Sequence, residues 1–238
     1  ALAVLLSVQV ADAQTKSPDA AKKAVAAAEA AAENPKKAAK VATWVKLATS
    51  YMDAYNAPAG SAWVGASKQE LQLLMGSQQP LAVENVEVGG EALVKETYAD
   101  KDFYFNGAGQ LVLIDVTKPV IENALAKATE AYKKAYEVDV KKSKIKDIAG
   151  GLEIVARKYM DEAMNAYTFG DLAKASELFE AAANTSEIEP LSKNDTTALY
   201  NAGYTAWAVG NNERAKAIFE KCVEKKYMPS TGKKRKMP

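Results

Sequence analysis

Residues 156–189 read ARKYMDEAMNAYTFGDLAKASELFEAAANTSEIE, and residues 196–229 read TTALYNAGYTAWAVGNNERAKAIFEKCVEKKYMP. At an offset of forty residues, Ala163, Gly170, Ala175, Phe179 and Ala182 fall on Gly203, Gly210, Ala215, Phe219 and Cys222, each pair alike in size or chemistry. Within each copy the steps are seven, five, four and three residues, which makes two helical stripes broken by a turn. Gly170-Asp171 and Gly210-Asn211 suit that turn, since glycine tolerates positive φ and the following side chain can cap a helix. The surplus over a compact repeat falls in Ile188-Glu189-Pro190-Leu191-Ser192-Lys193-Asn194-Asp195, whose Pro, Asn and Asp form turns readily.

This pattern resembles the tetratricopeptide repeat, a 34-residue pair of antiparallel helices. In that family small residues let the helix axes approach and a bulky apolar residue fills the wedge between pairs. By this resemblance Ala163, Gly203, Ala215 and Cys222 lie at close crossings, and Cys222 is a small buried hydrophobe rather than a reactive thiol. Enlarging Gly203 or Ala215 is expected to overpack that contact.

Upstream, Trp44, Leu47, Ala48 and Tyr51 carry the first-helix signature of the same family. The partner stripe returns only at Ala128, Tyr132 and Ala135, so an interrupted repeat is expected, its helices Pro35 to Tyr55 and Pro119 to Asp139. An Ala-rich helix, Pro18 to Glu33, with Ser17 as N-cap is expected before it. Residues 119–155 are read as that second helix and a connecting helix, and residues 156–229 as the two full repeats. Between the halves, residues 56–118 hold β-branched and aromatic runs, Val83 to Val88, Ala92 to Tyr98, Asp102 to Phe105 and Leu111 to Val116. Gly89-Gly90, Asp100-Lys101 and Asn106-Gly107-Ala108-Gly109 separate them, which reads as an antiparallel meander. Gly107 and Gly109 serve a hairpin turn, since no G-K-[ST] follows to make a phosphate loop. The expected class is therefore mainly α, an α-solenoid with an inserted β-meander.

Composition narrows the chemistry. The chain of 238 residues has no histidine, which removes Ser-His-Asp and Cys-His catalysis and imidazole metal sites. One cysteine excludes an intramolecular disulfide framework and a cysteine-based zinc site. Lys and Arg total 31 against 30 Asp and Glu, a balance with no strong pull toward nucleic acid or membrane. No nucleotide, calcium or nucleophile motif is present, so no cofactor or metal is expected.

At the start, Ala1-Leu2-Ala3-Val4-Leu5-Leu6 followed by Ala11-Asp12-Ala13 before Gln14 has the form of the end of a secretory signal peptide with an A-x-A cleavage site. Residues 1–13 are expected to be removed and the protein exported to a periplasmic or envelope compartment, as in exported Bacteroidota proteins, which the chain resembles. Asp195-Thr196-Thr197 is similar to the D-[ST]-x glycosylation signal of such proteins, but helix capping explains the same residues. Residues 230–238 are read as a basic, flexible tail, with Lys225 and Lys226 just before them.

Stacked repeats leave a groove lined by first-helix side chains. Carried over from the family, those positions are Arg157, Met160, Met164, Tyr167 and Thr168, then Thr197, Tyr200, Tyr204, Trp207 and Ala208. Met, Tyr, Trp and Arg are the types that anchor interfaces, so a protein or peptide partner is expected there. A two-carboxylate clamp, as in chaperone-binding members, needs Lys, Asn and Arg, and only Arg157 qualifies. Three alternatives stand: Tyr200, Tyr204 and Trp207 pack against a helix that ends the array; the aromatics bury one another in a homodimer; or an enzyme site lies in the insert at Asp102, Tyr104 or Asp115.

Overall fold

A computed structural model describes residues 15–76 and 78–226. The signal-like residues 1–13 and the tail 230–238 lie outside them. Among the described residues the chain is mainly helical, with one small antiparallel sheet. No helix there is long and apolar enough to cross a membrane.

Helix α1 (Pro18–Glu33) starts at Ser17, whose hydroxyl accepts from the Ala20 amide, with Pro18 in the first turn where its missing N–H costs nothing. The expected single helix from Pro35 to Tyr55 is instead two, α2 (Pro35–Ala38) and α3 (Val41–Asn56). Asn34 restarts the chain by capping the Lys36 and Lys37 amides. Lys40 is extended, and the Trp44 indole donates to the Ala38 carbonyl at 2.7 Å, pinning the break. The partner helix α5 (Ala124–Val138) begins five residues later than Pro119, after Asn123 in the left-handed region. Helices α3 and α5 pack together despite the insert between them, sharing one core with α1. Leu47, Ala48 and Tyr51 meet Leu125, Ala128, Tyr132 and Ala135 in that core, with Val25 behind.

Helix α6 (Ile145–Thr168) also differs from expectation. The anticipated connecting helix is continuous with the helix expected to start at Ala156, and Ile148, Leu152 and Val155 carry its early turns into the α3/α5 core. Helices α7 (Leu172–Glu187), α8 (Thr196–Ala208) and α9 (Asn212–Glu224) follow, and each packs on the one before it. Both turns have glycine at positive φ, +79° at Gly170 and +78° at Gly210. Asp171, Asp195 and Asn211 each accept from an amide three residues on. Asp195 therefore acts as a cap, with a contribution on the order of 1 kcal/mol.

Small residues make the crossings close. Ala163, Ala175, Ala198 and Ala202 are wholly buried around Phe179. A Cβ placed on Gly203 would stand 2.7 Å from the Phe219 ring. Cys222 is buried in the same core, and burial pushes its thiol pKa up, which leaves it protonated and unreactive at neutral pH. On the other side of α8, Arg214 of α9 reaches α7, donating to Glu180 at 2.6 Å and to the Ser176 hydroxyl at 3.2 Å.

The sheet comprises β1 (Ala82–Val88), β2 (Glu91–Thr97), β3 (Asp102–Phe105) and β4 (Leu111–Asp115), antiparallel and in chain order. These strands fall within a residue of the expected runs. Asn106 builds the β3–β4 turn by accepting from the Ala108 and Gln110 amides, both at 3.0 Å, with Gly109 at φ +73°. Unexpected in the insert is helix α4 (Lys68–Met75), opened by a capping box between Ser67 and Glu70. It covers one sheet face, closing a core of Ala66, Leu71, Phe103, Phe105 and Leu111. Full burial of a side chain the size of Phe or Leu contributes about 1.5–3 kcal/mol.

Candidate interaction surface

The other sheet face meets the C-terminal end of α6. Tyr104 sets its ring 5.3 Å from Phe169, edge to face, and the Asn165 amide donates to the Ile114 carbonyl at 3.3 Å. Gly89 lies against the Thr168 carbonyl, 3.2 Å from where a Cβ would stand. The insert thus rims the end of the first-helix surface on which Met164, Tyr167 and Thr168 lie.

Of the seven anchoring positions, Met160 is half-buried against the α6–α9 core, and Arg157 is exposed. Met164, Tyr167, Tyr200, Tyr204 and Trp207 are all substantially exposed, from 38% at Tyr200 to 58% at Trp207. Tyr200, the least exposed, packs in part against Phe219 of α9. The α8 set is drawn together by its aromatics. Tyr204 and Trp207 have ring centroids 6.0 Å apart, and Tyr200 lies 5.6 Å from the Phe219 ring.

Two cavities border these helices. One, an open depression of about 650 Å³, runs along α9 from Asn212 to Glu224, with Trp207 also in its lining. The other, of about 270 Å³, lies where α3, α5, α6 and α7 meet, lined by Tyr55, Tyr159, Glu162 and Lys174 among apolar neighbours. There the Tyr55 hydroxyl donates to Glu162 at 2.7 Å. Neither cavity unites the α6 and α8 positions. Sequence reasoning placed Trp207 beside its first-helix neighbours; the structure also makes it the wall of an α9 furrow. The α9 half of that furrow was missed, because Phe219 and Val223 look like ordinary core spacing.

The residues named for chemistry in the insert share one sheet face. Asp102 stands directly opposite Asp115 across β3 and β4, and Tyr104 stands opposite Lys95 on β2. Lys95 approaches Glu84 at 3.3 Å and Asp102 at 3.7 Å. Asp102 is buried, and its Oδ1 has no hydrogen-bond partner among the described residues. Neither cavity is lined by Asp102, Tyr104 or Asp115.

Desolvation by the sheet face, and then the Asp102 charge, raise the Asp115 pKa above the ordinary carboxylate value. A group whose folded pKa is raised stabilises the fold at low pH and loses that contribution as pH rises through the folded pKa. Asp115→Asn is therefore expected to gain stability relative to the parent as pH rises from about 3.5 to 7. The gain stays within about 1 kcal/mol, because Asp115 is at the solvent edge. Paired thermal melts across that range check it; a variant that loses ground with rising pH would contradict the assignment.

No protein-family model matches this chain, and no curated protein or solved structure matches it significantly.

Proposed function

We propose that the chain is an exported α-solenoid of tetratricopeptide type that acts as a protein-interaction scaffold in a bacterial cell envelope, holding an extended peptide or a helix on its first-helix face. The observation that carries this reading is the exposure of Met164, Tyr167, Tyr204 and Trp207 on the first helices of two successive helix pairs. Exposed aromatic and Met side chains contribute little to folding in such positions, yet they are the types that dominate interface energetics. Support for the repeat type comes from the positive-φ turn glycines and from the close Gly203–Phe219 approach. Support for export is the apolar run ending in Ala11-Asp12-Ala13.

The test is a crosslinked pull-down from envelope fractions with wild-type chain, Met164→Ala and Tyr204→Ala. Each substitution is expected to weaken capture of a common partner by about 1–2 kcal/mol, on the order of tenfold, with helical circular dichroism unchanged. Identical partner sets at identical yield from all three folded proteins would remove the reading.

A further inference from the structure

The smaller cavity, of about 270 Å³, is walled by the interior of the chain. Tyr55 comes from the end of α3, Tyr159 and Glu162 from one face of α6, and Lys174 and Leu178 from one face of α7. Val116, Pro119 and Ile121, in the segment between β4 and α5, complete the lining with the first turn of α5. The described chain ends elsewhere, since Lys225 pairs with Glu187 at 2.6 Å, at the opposite end of α7 from Lys174.

Two opposite charges line this space without cancelling. Glu162 accepts from the Tyr55 hydroxyl with one carboxylate oxygen, and its other oxygen has no hydrogen-bond or ion-pair partner among the described residues. Burial, and then the Glu162 charge, push the Tyr55 phenol well above its ordinary value, so Tyr55 stays a donor and holds the carboxylate in place. The Lys174 ammonium also has no hydrogen-bond or ion-pair partner among the described residues. Its field reaches Asp115 and lowers that carboxyl's pKa, but no ion pair forms there. Helix α5 starts without a side-chain cap, and its first turn, at Ala124, Leu125 and Ala126, adds partial positive charge to the lining.

A purely apolar occupant would leave both charges unanswered, and a simple acid or amine would answer one. A zwitterion answers both. We infer that this cavity is a binding site for a free α-amino acid with an apolar side chain. The ammonium is taken by the open oxygen of Glu162, the carboxylate by Lys174, and the side chain by Val116, Pro119, Ile121 and Leu178. An apolar lining with a few placed polar groups, set where structural units meet, is the usual form of a small-molecule site. The volume equals that of about nine waters in the liquid, room for one such molecule and not for a long peptide. The inference goes beyond the peptide-binding reading and shares none of its anchors, because Met164, Tyr167, Tyr204 and Trp207 lie outside this lining.

The test is isothermal titration calorimetry of the full chain with L-leucine. Glycine, N-acetyl-L-leucine and L-leucinamide serve as probes that lack, in turn, the side chain, the ammonium and the carboxylate. Leucine is expected to bind with a dissociation constant below about 1 mM, and each probe at least about tenfold more weakly. Glu162→Gln keeps an acceptor for Tyr55 while removing the charge, and Lys174→Gln removes the cation. Each is expected to weaken leucine binding at least about tenfold, and circular dichroism establishes that both are folded. No leucine binding up to about 10 mM, a charge-lacking probe that binds as well as leucine, or variants that bind it like wild type would each overturn the proposal.

Discussion

Phe179→Ala is expected to lower the unfolding free energy by about 3–5 kcal/mol, a large part of what a domain of this size has. The ring is 2% exposed, and its surroundings include Ala163, Ala166, Ala182, Ala198 and Ala202. The alanines are fixed to the backbone and cannot swing into the space, while Leu199 and Ile218 of the same core are themselves fully packed, so much of the cavity stays open. Phe219, its counterpart forty residues on, is only half-buried, and Phe219→Ala should lose distinctly less. Urea titrations of the two variants measure the difference. A Phe179 loss below about 1.5 kcal/mol would mean that the ring is not the wedge between the helix pairs.

Adjacent glycines in α6 are expected to respond with opposite signs. A Cβ on Gly151 would overlap the Cζ, Oη and Cε1 atoms of Tyr132, whereas one on Gly150 meets nothing within 4 Å. Tyr132 cannot swing away: it is 3% exposed, and burial, with smaller contributions from Asp53 and Asp147, pushes its phenol up to about 12. Gly150→Ala should therefore stabilise by up to about 1 kcal/mol, the helix-propensity gain. Gly151→Ala has the same gain available but overpacks the α5–α6 contact, and should destabilise by a net of about 1–3 kcal/mol. In a Tyr132→Ala background the sign at Gly151 should revert toward that at Gly150, since the obstructing ring is gone. Equal effects at both positions would disprove the close approach.

Much of the secondary structure was legible because its signals are local. Ser17, Asp171, Asp195 and Asn211 are caps that act within three residues, and the β runs alternate between turn-forming clusters. Helix α4 was equally legible, through the Ser67–Glu70 capping box, but its neighbours' β character obscured it. The break between α2 and α3 was not, since Ala39-Lys40 has no breaker residue and the reversal depends on the Trp44 indole reaching the Ala38 carbonyl. Nor was the role of Gly151, because two successive glycines ordinarily argue against a helix interior, and only the placement of Tyr132 explains one of them. The candidate surface was legible as residue types. Its division was not, since the sheet at the end of α6 and the furrow along α9 arise from contacts far apart in sequence.

The four-stranded sheet is inserted between α3 and α5, yet it holds the end of α6 through Tyr104–Phe169 and Asn165–Ile114. It therefore works as a splint: the end of α6 can tilt away from the α3/α5 core only by shearing a packed aromatic contact.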